Sequence, residues 1–165
     1  AAYVNIVRNT PLTLVFFIFV FAVPVLIPMG RTDYLLLGIL ALGVYTATYV
    51  AEVLRSGINT VPVGQAEAAR AIGLPFGQVM TLIVLPQAAR AVVPPMMSVL
   101  IALLKNTTVA AGFSAVNLGI IRANMSERGE NAMEVLIWVA IVFIVLVLLL
   151  SWVQNALERH WKVAR

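Results

Sequence analysis

The sequence predicts an all-α membrane protein, and three observations carry that prediction. Hydrophobic residues fill 62% of the 165 positions and charged residues only 11%, far from the balance of a soluble domain of this length. The charge-free runs 9–30, 34–51 and 135–157 each approach the roughly 20 residues that an α-helix needs to cross about 30 Å of hydrocarbon. A further run, 91–121, is interrupted only by Lys105. Together they predict a single membrane domain with segments at about 11–29, 34–56, 91–118 and 134–157, and a loop over about 58–90.

The cations set the topology. Placing the 58–90 loop in the cytoplasm puts Arg8, Arg55, Arg70, Arg90, Arg159, Lys162 and Arg165 inside, against Arg31, Arg122 and Arg128 outside, seven against three. That excess marks the cytoplasmic side of a multi-pass protein of the cell membrane. The net charge of +4 then needs no nucleic acid, because the basic residues sit at segment ends and not in a stripe. The first run lies behind Asn5 and Arg8, exceeds a usual signal-peptide core and lacks a clear small-residue cleavage site. The chain starts without Met, and a further helix is expected before Ala1. Zero cysteines exclude a disulfide framework or a cysteine-ligated metal.

The first segment opens at Thr10-Pro11, where proline suits a first helical turn, and approaches a break at Pro28-Met29-Gly30. A tight outer turn, Gly30 to Asp33, leads to the second segment, which runs from Tyr34 toward Arg55. Here Tyr45, Thr48, Tyr49 and Glu52 share one helical face at spacings of three and four, with Thr46 beside them. That face is expected to meet protein or water. Between Gly57 and Arg90 the pattern changes to short helices. Pro62 can start one, Gln65 to Ala71 is rich in helix formers, and Gly73 suits a left-handed terminating position. Pro75 permits a second short helix to Leu85.

Pro86 and Pro94-Pro95 are expected to disturb the start of the third segment. Its uncharged part, residues 91–104, rises about 21 Å at about 1.5 Å per residue, which leaves Lys105 within the depth of the bilayer. Asn106-Thr107-Thr108 and Gly112 predict a broken helix there, tolerated where protein or a water-filled cavity surrounds it. The outer loop, Asn117 to Glu134, is polar and suits solvent or a partner. The last segment closes on Trp152 to Trp161, and Glu158-Arg159-His160-Trp161-Lys162 supplies the charge and aromatic anchors of a membrane surface. His160, the sole histidine, takes an interfacial role in that setting.

Catalytic constellations are missing. The chain has no Gly-x4-Gly-Lys-Ser/Thr loop with which to cradle ATP phosphates, no serine–histidine arrangement and no cluster of metal ligands. The sequence predicts no enzyme and no cofactor bound by this chain.

One gapped pattern is more specific than the hydrophobic spans. Glu67-Ala68-Ala69, Gly73 and Ile83-Val84-Leu85-Pro86 read E-A-A-x3-G-x9-I-x-L-P without a mismatch. Tyr3-Val4, Arg8-Asn9-Thr10-Pro11-Leu12, Tyr49-Val50-Ala51-Glu52-Val53, Arg55-Ser56-Gly57-Ile58, Pro86-Gln87-Ala88 with Arg90, and Leu103-Leu104-Lys105-Asn106-Thr107-Thr108 accompany it. Across nearly its whole length the chain resembles the polar amino-acid permease subunits of ABC importers. The resemblance implies a type I importer-like core of five helices, four of them here, working as a pair with an identical or related second permease. It also implies a cytoplasmic ABC ATPase dimer carrying ATP and Mg, an extracytoplasmic solute-binding protein and an amino acid as cargo. In such permeases the helix containing Glu67, Ala68, Ala69 and Gly73 inserts into a groove on the ATPase. The small alanines would permit close approach, Glu67 would pair or cap, and Gly73 would turn the chain.

The substrate path is weighed residue by residue. Lys105 either snorkels and supports the broken helix or contacts a substrate carboxylate. Relatives for neutral or cationic amino acids resemble Lys-Asp-Thr or Lys-Asp-Ser where this chain has Lys105-Asn106-Thr107. Loss of that acid relieves repulsion of an anionic side chain, which favours L-glutamate. Glu52 either pairs with Arg55 at i,i+3 or serves a gate. Tyr45, Thr46, Thr48 and Tyr49 either form an interhelical seam or line the path. Two other functions fit the apolar spans: an ion-coupled secondary transporter using Lys105 and Glu52, and a scaffold whose loop recruits a cytosolic protein.

Overall fold

The structure, a computed structural model, describes residues 2–27, 33–110, 113, 124–125, 127–129 and 131–160, with the side chains of Ala132 and His160 outside that set. The described residues form helices and no strand. Three helices, Tyr34–Asn59, Phe76–Ala110 and Met133–Arg159, are long and apolar enough to cross a membrane. A fourth span is possible if Ala2–Arg8 and Leu12–Leu26, which meet at 104°, count as one bent unit.

Helix α1, Ala2–Arg8, ends where Asn9 and Thr10 fold back, their side chains donating to the carbonyls of Asn5 and Ile6 at 2.8 Å each. These bonds satisfy acceptors that a helix end leaves open. Pro11 then starts α2, Leu12–Leu26, with an extended ψ of 135°. Midway, Ile18–Ala22 widens into a π-turn, in which the Val23 N–H reaches the Ile18 carbonyl. Pro24 follows directly. A proline in a helix lacks its N–H and crowds the carbonyl one turn earlier, and one extra residue in the preceding turn relieves that clash. The break expected at Pro28-Met29-Gly30 and the turn's residues 30–32 lie outside the described residues.

Helix α3, Tyr34–Asn59, begins on Asp33, whose Oδ1 accepts from the N–H groups of Leu35 and Leu36 at 3.0 and 3.1 Å. This is an N-cap. The core forms where α2 crosses α3: Val15, Phe16, Val20, Leu37 and Ala41 are buried together with Ala110. The Phe16 ring stacks on Phe113 at 5.0 Å.

Helix α4 is short, Val63–Ala71. Helix α5 then runs from Phe76 to Ala110, 35 residues, and here three expectations are corrected. The second short helix predicted to end at Leu85 is instead the first part of α5. A π-turn at Met80–Val84, closed by the Leu85 N–H on the Met80 carbonyl, stands just before Pro86 and lets the helix continue, as before Pro24. The helix also continues through Pro94 and Pro95, so the expected disturbance does not end it. The broken helix predicted at Asn106-Thr107-Thr108 is likewise continuous through Ala110. Thr107 and Thr108 turn their hydroxyls onto the carbonyls of Leu104 and Lys105 at 2.6 and 2.7 Å, keeping their polarity within the helix. Gly112, the other residue of that expectation, lies outside the described residues.

Helix α6, Ala132–His160, starts on Asn131, whose Oδ1 accepts from the Met133 N–H at 3.1 Å. It packs along α5. Ile137, Trp138, Ile144, Leu148, Leu149 and Trp152 remain exposed, an apolar surface suited to lipid. Of the expected outer loop, 117–123, 126 and 130 are outside the described residues, as are Trp161, Lys162 and Arg165.

Candidate functional site

Two regions bring the chemistry-bearing residues together. The first is built on α4. Pro62 precedes it with ψ 130° and no N–H to leave unsatisfied. At the other end the Gly73 N–H bonds the Arg70 carbonyl at 3.0 Å and the Leu74 N–H bonds the Ala69 carbonyl at 3.1 Å. Gly73 has φ +90°, and the pair of bonds is a Schellman ending. Glycine is favoured here because a Cβ strains that backbone.

Glu67 and Ala68 point outward, while Ala69 does not. Ala69 is 4% exposed and packs on Val61, Val79, Val84 and Ala88. Of the two small alanines expected to permit close approach, Ala68 is outward and Ala69 lets α4 lie against α5. The periodicity explains it, since Ala66 and Ala69 lie three apart on the inner face. Exposed Val63, Ile72 and Phe76 border the outward surface.

Below this platform α3 and α5 touch closely. Val92 Cγ2 occupies the place a Cβ on Gly57 would take, and the Ala88 carbonyl oxygen lies 3.1 Å from that place. Gly57 is buried. Close backbone approach of two membrane helices at small residues is the usual packing solution in lipid.

The second region is a groove of about 410 Å³ between α3 and α5, lined by Tyr45, Thr46 and Tyr49 on one side and by Ser98, Val99, Ala102, Leu103 and Asn106 on the other. The Tyr45 and Tyr49 hydroxyls are 2.9 Å apart. Ser98, Ala102 and Asn106 recur at spacings of four, so one face of α5 turns all three toward α3. The lining holds hydroxyls and one amide and no charged side chain.

The other expected path residues part company here. Thr48 is fully buried, its hydroxyl donating to the Tyr45 carbonyl at 2.7 Å, which fixes the Tyr45 turn from behind. Lys105 and Thr108 face α6 and line a separate space of about 370 Å³ with Phe143, Ile144, Val147 and Leu148. Thr107 is half-buried and donates to the Leu104 carbonyl. Glu52 lies beyond the groove and pairs with Arg8 at 3.1 Å and, more distantly, with Arg55 at 3.9 Å. The i,i+3 partner was readable in the sequence; the nearer one, supplied by α1, was not. Ser98 was also missed, although its spacing from Asn106 was available. No cluster of three or more metal-ligating side chains occurs among the described residues.

An all-α bundle with long apolar helices, a polar groove between two of them and a short outward helix packed on one of them is the architecture of a membrane permease core. The chain belongs to the family of binding-protein-dependent transport system inner membrane components, whose model matches residues 1–163. It is 44% identical over 154 residues to the glutamate transport system permease protein GluC of Corynebacterium glutamicum, covering 87% of this chain and 66% of that one. It is 37% identical to the probable glutamine ABC transporter permease protein GlnM of Bacillus subtilis, covering 96% of this chain and 73% of that one. The chain thus spans about two thirds to three quarters of the length of these relatives. Among solved structures, an amino acid ABC transporter with histidines superposes with a TM-score of 0.89 at 26% identity, covering 96% of this chain and 73% of that one. The inward-facing MetNI methionine ABC transporter does so with 0.80 at 25%, covering 98% and 74%. The chain is a noncatalytic inner-membrane permease component of the polar amino-acid ABC type.

Proposed function

We propose that this chain is the permease subunit of an ATP-driven importer for L-glutamate, forming half of an alternating-access path. It works with a second permease, identical or related, a cytoplasmic ABC ATPase dimer that binds ATP and Mg, and an extracytoplasmic solute-binding protein. The outward face of α4, with Glu67 and Ala68, docks on the ATPase, and Gly73 holds the end of that helix. ATP-driven closure of the ATPase pushes α4, and α5 carries the push toward the groove of Tyr45, Tyr49, Ser98 and Asn106.

The observation that carries the reading is the single helix α5, which joins the α4 platform at Val79, Val84 and Ala88 to the groove at Asn106. A push on α4 reaches the groove along one continuous helix. For the cargo, Asn106 keeps the groove free of fixed negative charge, which spares an anionic side chain the repulsion an aspartate would impose. GluC is similar to the chain at 44% identity, which supports the same choice. Lys105 faces α6 and acts on the cargo through the field of its charge and not through contact.

Uptake of labelled L-glutamate by cells carrying the complete transporter, with and without this subunit, tests the reading. Dependence on the subunit, with competition by glutamate and aspartate only, is the expected result. Competition by glutamine or arginine overturns the cargo and leaves the permease role. Uptake that persists without the ATPase and collapses with the ion gradient overturns ATP coupling and favours a secondary transporter. Binding of the ATPase without any uptake favours a scaffold.

A further inference from the structure

The Pro86-Gln87-Ala88 stretch stands out in the sequence without a role in docking or in the groove. In the structure it is where α4 meets α5. The Gln87 side-chain amide is a forked donor: Nε2 donates to Gln65 Oε1 on α4 at 2.7 Å and to the Ile83 carbonyl, one turn back on its own helix, at 2.9 Å. Ile83 lies in the π-turn that precedes Pro86, the stretch of α5 whose backbone bonding departs from the α-helical pattern. Ala88, the next residue, is 3% exposed and presses on both the Ala69 cluster and the turn of α3 at Gly57.

Apolar contact alone holds α4 on α5 without fixing its rotation or its slide, because it is non-directional. A hydrogen bond has direction and length. Gln65 is exposed and stands one turn before the buried Ala69 on the same side of α4, so its bond to Gln87 adds a directed contact at the margin of the apolar one. We infer that Gln87 is a positioning residue, a clasp that holds α4 through Gln65 in one register on α5, so that displacement of α4 moves α5 instead of being absorbed between them. The inference rests on the proposed docking of α4 and names the residue pair that makes that docking productive.

The pair is tested in the complete transporter reconstituted in lipid vesicles, reading labelled L-glutamate imported per ATP hydrolysed, together with the amount of ATPase retained on the membrane subunits. Gln65→Ala should leave the ATPase bound and lower the imported amount per ATP roughly threefold to tenfold, the factor governed by one hydrogen bond of ordinary net strength. Gln87→Ala should do at least as much, since it also releases the Ile83 carbonyl. The double variant should fall no further than Gln87→Ala, because the two side chains make one contact. Gln65→Glu with Gln87→Lys rebuilds a directed contact and should recover most of the loss.

Unchanged import per ATP in Gln65→Ala, additive losses in the double variant, or no recovery with the charged pair overturns the clasp. Ala68→Trp separates this failure from failure of the docking reading. A tryptophan on the outward face should release the ATPase whatever the glutamines do. If Ala68→Trp leaves the ATPase bound and coupled, the docking surface lies elsewhere and the clasp falls with it.

Discussion

Arg8 and Glu52, 44 positions apart, meet as an ion pair of 3.1 Å, and this contact fixes the foot of α1 on α3. The Tyr3 hydroxyl donates to the Val44 carbonyl, about two turns earlier on the same helix. Two polar contacts and the buried Val4 therefore lay α1 along α3 before the chain turns into α2. The pair also occupies Glu52, so the carboxylate below the groove has two cationic neighbours, Arg8 and Arg55.

Because both side chains of that pair are partly exposed, at 46% and 35%, its loss should cost little stability. Arg8→Gln should lower unfolding free energy by less than about 1 kcal/mol. The effect should shrink further in high salt. A charge swap, Arg8→Glu with Glu52→Arg, should restore part of it. Thermal unfolding in detergent, followed at two salt concentrations, measures both. A loss of several kcal/mol would mean that the pair is shielded from solvent, where removing one partner leaves the other charge uncompensated.

Gly57 carries a second prediction, this time about packing. Gly57→Ala forces its new methyl into Val92 and toward the Ala88 carbonyl, and overpacking of this kind costs about 1–3 kcal/mol. Val92→Ala in the same chain removes the side chain that stands in the way, and the double variant should regain most of the loss. Melting temperatures of the single and double variants decide it. Equal destabilisation of the two would show that the Ala88 backbone, and not Val92, sets the limit.

Two glycines of the α4 region should respond with opposite sign. Gly73 has φ +90° and open space where a Cβ would stand, so Gly73→Ala is penalised by backbone strain alone, about 1 kcal/mol, and Gly73→Asn by less. Gly64, inside α4, also has open space and no left-handed backbone, so Gly64→Ala should stabilise the helix by up to about 1 kcal/mol. Hydrogen exchange across 63–74 reads both directions in one experiment.

How far the sequence reached is clearest along α5. The charge-free run, the proline positions and the Ile83-Val84-Leu85-Pro86 pattern were all visible. Reading them as boundaries failed because a π-turn absorbs a proline by adding one residue, and this addition has no local signature in residue type. The same limit separated Lys105 from Asn106: adjacent in sequence, they lie about 100° apart around a helix of about 3.6 residues per turn. A broken helix would have allowed both to face one cavity, whereas a continuous one sends them to different neighbours. Gly73, by contrast, was legible because its role depends on its own backbone. Arg8 with Glu52 and Gln65 with Gln87 were not, since no spacing rule connects residues on different helices.

The groove supports the last prediction, and it separates charge from shape. Asn106→Asp changes one amide to a carboxylate of nearly the same volume, so packing against Leu103 and Ala102 stays as it is while a negative charge enters a lining that has none. In a partly desolvated groove that charge repels an acidic cargo. The apparent KM for L-glutamate should rise by roughly tenfold or more, about 1.4 kcal/mol in binding, and competition by arginine should strengthen. Lys105→Gln, on the face toward α6, should shift KM far less, although it also removes a charge from the next position. Tyr49→Phe keeps the ring and deletes the hydroxyl bonded to Tyr45, and should raise KM with little change in which amino acids compete. Uptake kinetics for the three variants, each normalised to ATPase activity, test the set. If Lys105→Gln alters selectivity as strongly as Asn106→Asp, the cargo passes along the α6 side of α5, and the groove between α3 and α5 is a packing feature.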